Sequence, residues 1–302
     1  MANKKPKCKK PPTSGVRPSK RYLSRTKKSI AIILRGHQKR HRYAHDAGQT
    51  PLDFDCTRGS IDSFINMVKK PLELKYNIYI YVVSPDNLYD NYLINKIKPI
   101  KIWHPPGSEK FIHVVEDLCN GKNIQNSLYK GENTQVYTFS YGAKKLLEEK
   151  EIDKFDHLLI LRPDALYKKS INEWNINFNT TCVFPFYESD KEIKRAPDCI
   201  YWINKRKDNG IRKVLEVISN YDFPYELHGL IGVFDKKGIE YDFMTKESFV
   251  SATYGPQSCC KNPFYALSGR KYFFEDISHG TLYGKDWTPD WANDKTRWFG
   301  GL

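Results

Sequence analysis

The chain has 302 residues, enough for one large α/β domain or two small ones, and its 40% hydrophobic content can fill a core. The formal net charge of +14 is uneven: residues 1–45 hold 15 of the 49 basic side chains and none of the 35 acidic ones, which leaves 34 against 35. The body is therefore nearly neutral, which argues against a nucleic-acid-binding domain with its own basic face.

Residues 1–28 combine Lys, Arg, Pro and Ser and are predicted to be a disordered basic tail. Such a tail can solubilise the chain or meet nucleic acid or an anionic membrane surface. It lacks the apolar stretch of a signal peptide, and no run approaches the roughly 20 apolar residues of a membrane span. Seven scattered cysteines without a Cys-x-x-Cys pair argue against zinc and for free thiols in a reducing cytoplasm.

The body, residues 29–302, opens with an apolar strand over Ser29–Leu34 that runs into Arg35-Gly36-His37-Gln38-Lys39-Arg40. A helix is predicted over Ser60–Val68, then a strand over Asn77–Val83 closed by Ser84-Pro85-Asp86-Asn87. Strand–helix–strand implies a parallel pair. Residues 96–103 suggest a short strand, 109–120 a helix, and the Lys-, Leu- and Glu-rich 141–151 a further helix. Short strands are predicted over 181–185 and 197–203, helices over 211–219 and 225–234, and a turn at Lys236-Lys237-Gly238. The last 25 residues, rich in Gly, Asp and Trp, show no clear element.

Residues 155–167 are the most telling. The apolar run Leu158–Leu161 reads as a strand buried on both faces, and it ends abruptly on Arg162-Pro163-Asp164. Pro163 cannot donate to a ladder, so the strand stops there. In an open α/β sheet the carboxyl ends of the strands border the ligand crevice. Three such ends carry polar groups: Arg35 to Arg40, Asp86, and Arg162 to Asp164. Together they suit a nucleoside diphosphate, with arginines on phosphate and an acid on ribose. The same residues also suit solvated surface ion pairs and turns. There is no Walker lysine motif and no Gly-x-Gly-x-x-Gly.

On these motifs the chain resembles nucleotide-sugar glycosyltransferases of the GT-A type, whose fold is a Rossmann-like, mostly parallel sheet flanked by helices. More narrowly it resembles a group of bacterial and large-virus enzymes with an Arg-Pro-Asp element in place of Asp-x-Asp. Arg35-Gly36-His37, Arg162-Pro163-Asp164-Ala165-Leu166-Tyr167, Val183-Phe184-Pro185, Asp198-Cys199-Ile200-Tyr201-Trp202 and Pro224-Tyr225-Glu226-Leu227-His228 match in order. The resemblance implies transfer of a sugar from a UDP- or GDP-sugar to a hydroxyl of a glycan or glycoprotein. It implies Arg35, Gly36, His37, Arg40, Asp86, Lys144 and Arg162 as donor-binding residues. Asp164 would be the carboxylate for Mn²⁺ or Mg²⁺, and Asp198, Glu226 or His228 the base. Each of these also has a plain structural use, as a turn former, a helix-dipole partner or a solvated side chain. A nucleotidyltransferase on the same fold, or a nucleic-acid binder acting through the tail, are the alternatives.

Overall fold

A computed structural model describes residues 27–36, 56–85, 87, 89–106, 134–149, 152–190, 193–206, 208–220, 227–249 and 263–267. Its centre is a seven-stranded sheet. The first strand, β1 (Lys28–Arg35), pairs in parallel with β2 (Tyr76–Val83) on one side and β4 (His157–Leu161) on the other. The short β3 (Lys101–Trp103) extends the parallel set beyond β2. Next to β4 lies β9 (Ile200–Asn204), which runs antiparallel and also pairs antiparallel with β6 (Cys182–Phe184). The edge strand β10 (Tyr241–Phe243) pairs in parallel with β6. The spatial order is thus β10-β6-β9-β4-β1-β2-β3, a mostly parallel sheet as expected.

Smaller ladders sit beside it. β5 (Ala165–Tyr167) pairs with β12 (Tyr265–Leu267), and β7 (Tyr187–Asp190) lies between β8 (Ile193–Arg195) and β11 (Ser248–Phe249).

Side chains of a strand alternate between faces, so one strand feeds two cores. Ile30, Ile32 and Leu34 pack with Leu159, Leu161, Val82 and Trp202 under one helical layer. That layer is α1 (Cys56–Phe64), a π-helical stretch Ile65–Lys69, α2 (Lys70–Glu73) and α3 (Asp90–Ile97). It contributes Ile61, Phe64, Val68, Leu72, Leu93 and Ile97. Ala31 and Ile33 face the other way, with Leu158, Ile160 and Tyr201. They meet α4 (Thr134–Glu148), α5 (Gly210–Ser219) and α6 (Leu230–Lys237) through Val136, Phe139, Leu146, Val214, Leu215 and Phe234. At Gly142 a Cβ would stand 2.8 Å from Val83 Cγ2, so α4 lies close against the sheet only because the side chain is missing. Among the described residues no helix is long and apolar enough to cross a membrane.

The elements differ from expectation in five places. The helix expected over 225–234 is a 3₁₀ turn, Leu227–Gly229, followed by α6, Leu230–Lys237. The helix expected over 141–151 starts at Thr134 and ends at Glu148. Its first half carries Val, Tyr, Thr and Phe, weak helix formers that are held by burial of Val136 and Phe139 against the sheet. The strand expected over 96–103 is the end of α3 followed by β3: Leu93 and Ile97, four apart, bury one helical face. Lys98 then ends the helix in the left-handed region, with φ 51°. The strand expected from Pro197 starts at Ile200. The expected turn at 236–238 is the last turn of α6, where Lys236 and Lys237 complement the helix dipole and Gly238 caps it with φ 63°. The tail up to residue 26, the helix expected over 109–120 and the last 25 residues lie outside the described residues, as does the 225–226 start of the late helix.

Candidate active site

The four parallel strands stand in the order β3-β2-β1-β4, so the chain moves outward from β1 in opposite directions to reach β2 and β4. The crevice at such a reversal, outside the carboxyl ends of the strands, is where open α/β sheets bind ligands. Here those ends are Arg35-Gly36 on β1 and Arg162-Pro163-Asp164 on β4. Because β9 runs antiparallel to β4, with Ile200 opposite Leu161, the start of β9 brings Asp198 to the same rim. The loop from β1 is pinned by Gly36, whose N–H donates to the Val83 carbonyl at 2.9 Å. Its φ of 132° suits only glycine, and a Cβ there would reach Pro163 Cδ at 3.4 Å. The two strand ends thus touch through a glycine and a proline.

Beneath the rim lies a closed ionic cluster. Arg162 grips Asp164 with two parallel bonds, Nε to Oδ1 at 2.8 Å and Nη2 to Oδ2 at 2.7 Å. Its Nη1 donates to Asp198 Oδ2 at 2.7 Å. The Cys199 thiol donates to Asp198 Oδ1 at 3.1 Å, and the Tyr167 hydroxyl donates to the Arg162 carbonyl at 3.2 Å. Arg35 donates from Nη2 to the Asp198 carbonyl and lies over the Phe139 ring, 4.7 Å from its centre. Arg35 is 1% exposed, and Arg162, Asp164 and Asp198 are each 5% exposed. The cluster thus holds two guanidiniums and two carboxylates, a formal balance that favours burial: Arg162 faces both acids, whereas Arg35 meets the Asp198 backbone carbonyl and the Phe139 ring and keeps its Nε buried without a partner. Burial pulls Arg162 down, but Asp164 and then Asp198 outweigh it and hold its proton well above the ordinary range. Burial and the neighbouring Asp198 raise the Cys199 thiol, so it stays a protonated donor.

Of the residues singled out from sequence, Arg35, Gly36, Arg162, Asp164 and Asp198 come together here. Both arginines point into the cluster rather than out toward the crevice. Lys144 does not join them: it is exposed on α4, nine residues or roughly 13 Å along the helix axis from the first turn. His37, Arg40, Asp86 and Glu226 lie outside the described residues. His228 contributes backbone to the 3₁₀ turn Leu227–Gly229, and its side chain is likewise outside.

Three features escaped sequence reasoning. Gln135, in the first turn of α4, lies within reach of both Asp198 and Arg162, which also bond each other. Cys199 gave no motif beyond its place beside Asp198. The third is a small cluster at the carboxyl ends of β2 and β3. There His104 Nδ1 lies 2.9 Å from the Ser84 carbonyl and Nε2 lies 2.9 Å from Asp90 Oδ2. His104 follows its strand as Arg162 follows β4, and that position was the available signal.

Both Asp164 oxygens accept from Arg162, and among the described residues no three His, Cys, Asp or Glu side chains converge on one point. A cation at Asp164 would have to compete with a buried bidentate ion pair.

No family model matches the chain. No curated protein matches it by sequence. Among solved structures, it is similar to a glycosyltransferase involved in glycosylation of the major capsid of PBCV-1, with 13% identity, TM-score 0.34, and 71% of this chain and 81% of that one covered. A second is a 4-diphosphocytidyl-2C-methyl-D-erythritol synthase from Anaerococcus prevotii, with 11% identity, TM-score 0.37, and coverage of 73% and 90%. A third, from Desulfovibrio desulfuricans, is provisionally assigned as a nucleotide-diphospho-sugar transferase, with 8% identity, TM-score 0.39, and coverage of 72% and 81%.

Proposed function

We propose that this chain is a glycosyltransferase that moves a sugar from a nucleoside-diphosphate sugar, a UDP- or GDP-sugar, to a hydroxyl of a glycan or glycoprotein. The observation that carries the reading is the charge-balanced Arg162–Asp164–Asp198 cluster at the reversal point between β1 and β4. A crevice there takes nucleotides in doubly wound sheets, and the motif order read from the sequence leads to the same chemistry.

In the transfer, the bond from the anomeric carbon to the diphosphate oxygen breaks and a bond to the acceptor oxygen forms. The acceptor proton needs a base and the leaving diphosphate needs positive charge. We assign Asp198 to accept or orient the acceptor hydroxyl. Its Oδ1 accepts from the Cys199 thiol, a weak donor that takes up little of a carboxylate oxygen's accepting capacity. Glu226 and His228 are the alternatives for that role. Arg35 and Arg162 support the floor from within. His37, next to Gly36, and Arg40, four residues after it, are assigned to the diphosphate, and Asp86, after β2, to the nucleoside. Asp164 is assigned to hold Arg162.

The test is a thermal-shift screen of UDP-, GDP-, CMP- and dTDP-sugars, with and without Mn²⁺ or Mg²⁺, followed by assay of nucleotide release. A donor at about 100 times its dissociation constant adds roughly 2.7 kcal/mol. One responding nucleotide with sugar release supports the reading. No response to any of them, beside salt-sensitive binding of DNA or RNA, overturns it in favour of the tail. Nucleotidyl transfer in place of sugar release overturns it in favour of a nucleotidyltransferase.

A further inference from the structure

Gln135 reaches the Arg162–Asp198 pair from α4, an element that supplies none of the cluster's charged groups. It sits in the first turn of α4, while Arg162 and Asp164 follow β4 and Asp198 precedes β9. Donors meet acceptors in only one orientation of its amide. The nitrogen then lies 2.6 Å from Asp198 Oδ2 and the oxygen 3.2 Å from Arg162 Nη1.

Arg162 is itself immobilised by its two bonds to Asp164, so its Nη1 is a fixed point for Asp198. The Cys199 thiol, from the next residue in the chain, is a weak donor to the other oxygen. An amide donor from a separate element adds a stronger restraint on the carboxylate's orientation. The amide also bonds both members of the ion pair while adding no charge, so the balance of two cations and two anions survives. A glutamate here would set a third acid at 2.6 Å from Asp198.

We propose that Gln135 is the positioning residue for Asp198: it fixes the plane of that carboxylate and couples α4 to the Arg162–Asp198 pair. The geometric part stands on the contacts alone. The catalytic part rests on the transferase reading given above.

The experiment uses the full chain and the variants Gln135→Leu and Gln135→Glu, each checked for a wild-type melting profile. In Gln135→Leu, kcat for donor turnover is expected to fall about tenfold with the donor KM unchanged, the size seen when a residue that orients a reacting group is lost. In Gln135→Glu the acid limb of the pH–rate profile is expected to move to higher pH, because two neighbouring carboxylates cannot both ionise freely. A merely structural role would move neither the kcat-against-KM split nor the profile. An unchanged kcat and profile in both variants overturns the proposal. Should the wild-type chain turn over no nucleotide sugar, the transferase reading falls, and a crystal structure of Gln135→Leu decides the geometric part. A rotated Asp198 carboxylate sustains it, and an unmoved one overturns it.

Discussion

Arg162 and Asp198 stand 36 residues apart in the chain and share a 2.7 Å ion pair that ties the end of β4 to the approach of β9. Arg162 serves two buried acids at once, so its loss strands both. Arg162→Ala is expected to cost about 3–5 kcal/mol, the range for breaking a buried ion pair from one side. Arg162→Lys should recover little of that, because an ammonium cannot reproduce the two-pronged grip on Asp164. Urea denaturation midpoints check this, and a lysine variant as stable as wild type would refute the shared-partner role.

Gly36 carries a second, independent expectation. Its φ of 132° is costly for any residue with a Cβ, and the added carbon would press toward Pro163. Gly36→Ala is expected to destabilise by about 1–3 kcal/mol through backbone strain. Chemical denaturation reads this directly, and a loss within error of zero would mean the loop relaxes without effort.

His157 makes stability pH-dependent. Its Nδ1 lies 2.9 Å from Asn204 Oδ1, which places the proton on Nδ1, and Nε2 is buried without a partner. Tyr76, Phe178 and Trp202 surround the ring. Burial, together with nearby Lys28, depresses its proton affinity below the ordinary 6.5, while Asn204 and Asp156 oppose this only in part. The folded state thus resists a proton that the unfolded chain accepts. Stability from this site is full above about pH 6.5 and falls as pH drops below it, by at most about 1.4 kcal/mol per unit. Melting temperatures taken between neutral pH and pH 5 test it. His157→Gln should flatten that part of the curve, and a variant with the same slope would assign the dependence elsewhere.

If Asp198 takes the acceptor proton, Asp198→Asn should lower kcat about 10²–10⁴-fold. Donor affinity should stay within a few-fold, since the carboxylate is assigned to the acceptor. Single-turnover transfer alongside donor binding separates the two effects. A folded Asp198→Asn protein with full transfer rates would leave Glu226 and His228 as the candidates.

The basic N-terminal region offers a simple deletion. A chain beginning at Lys27 keeps every described strand of the sheet. Donor binding and turnover are expected to be unchanged, while any salt-sensitive affinity for nucleic acid or anionic vesicles should be lost. Loss of turnover on deletion would bring the tail into the reaction.

The sheet was legible because its central strands are continuous apolar runs. Ile30–Leu34, Ile80–Val83 and Leu158–Leu161 are buried on both faces, and only such strands look uniformly apolar in sequence. The abrupt stops at Arg35 and Arg162 marked the rim of the sheet for the same reason. The direction in which those arginines point was not legible, since sequence places a side chain at a strand end but does not say which partners fold back onto it. Asp198 was found as a residue, yet its link to Arg162 depends on β9 running antiparallel, a long-range fact. Gln135 left no trace at all: it begins a helix whose first half is written in weak helix formers, and its role exists only where three distant segments meet.

The flanks of the sheet have a consequence for how other molecules can approach. One outermost strand, β3, spans only Lys101–Trp103, carries a lysine bonded to Glu149, and runs into Pro105-Pro106. The other, β10, spans only Tyr241–Phe243 and holds Asp242 in a bond with Asn177. Short margins bearing charge or proline are poor templates for strand addition. Among the described residues, neither margin of the sheet thus favours stacking of copies edge to edge, even at high concentration.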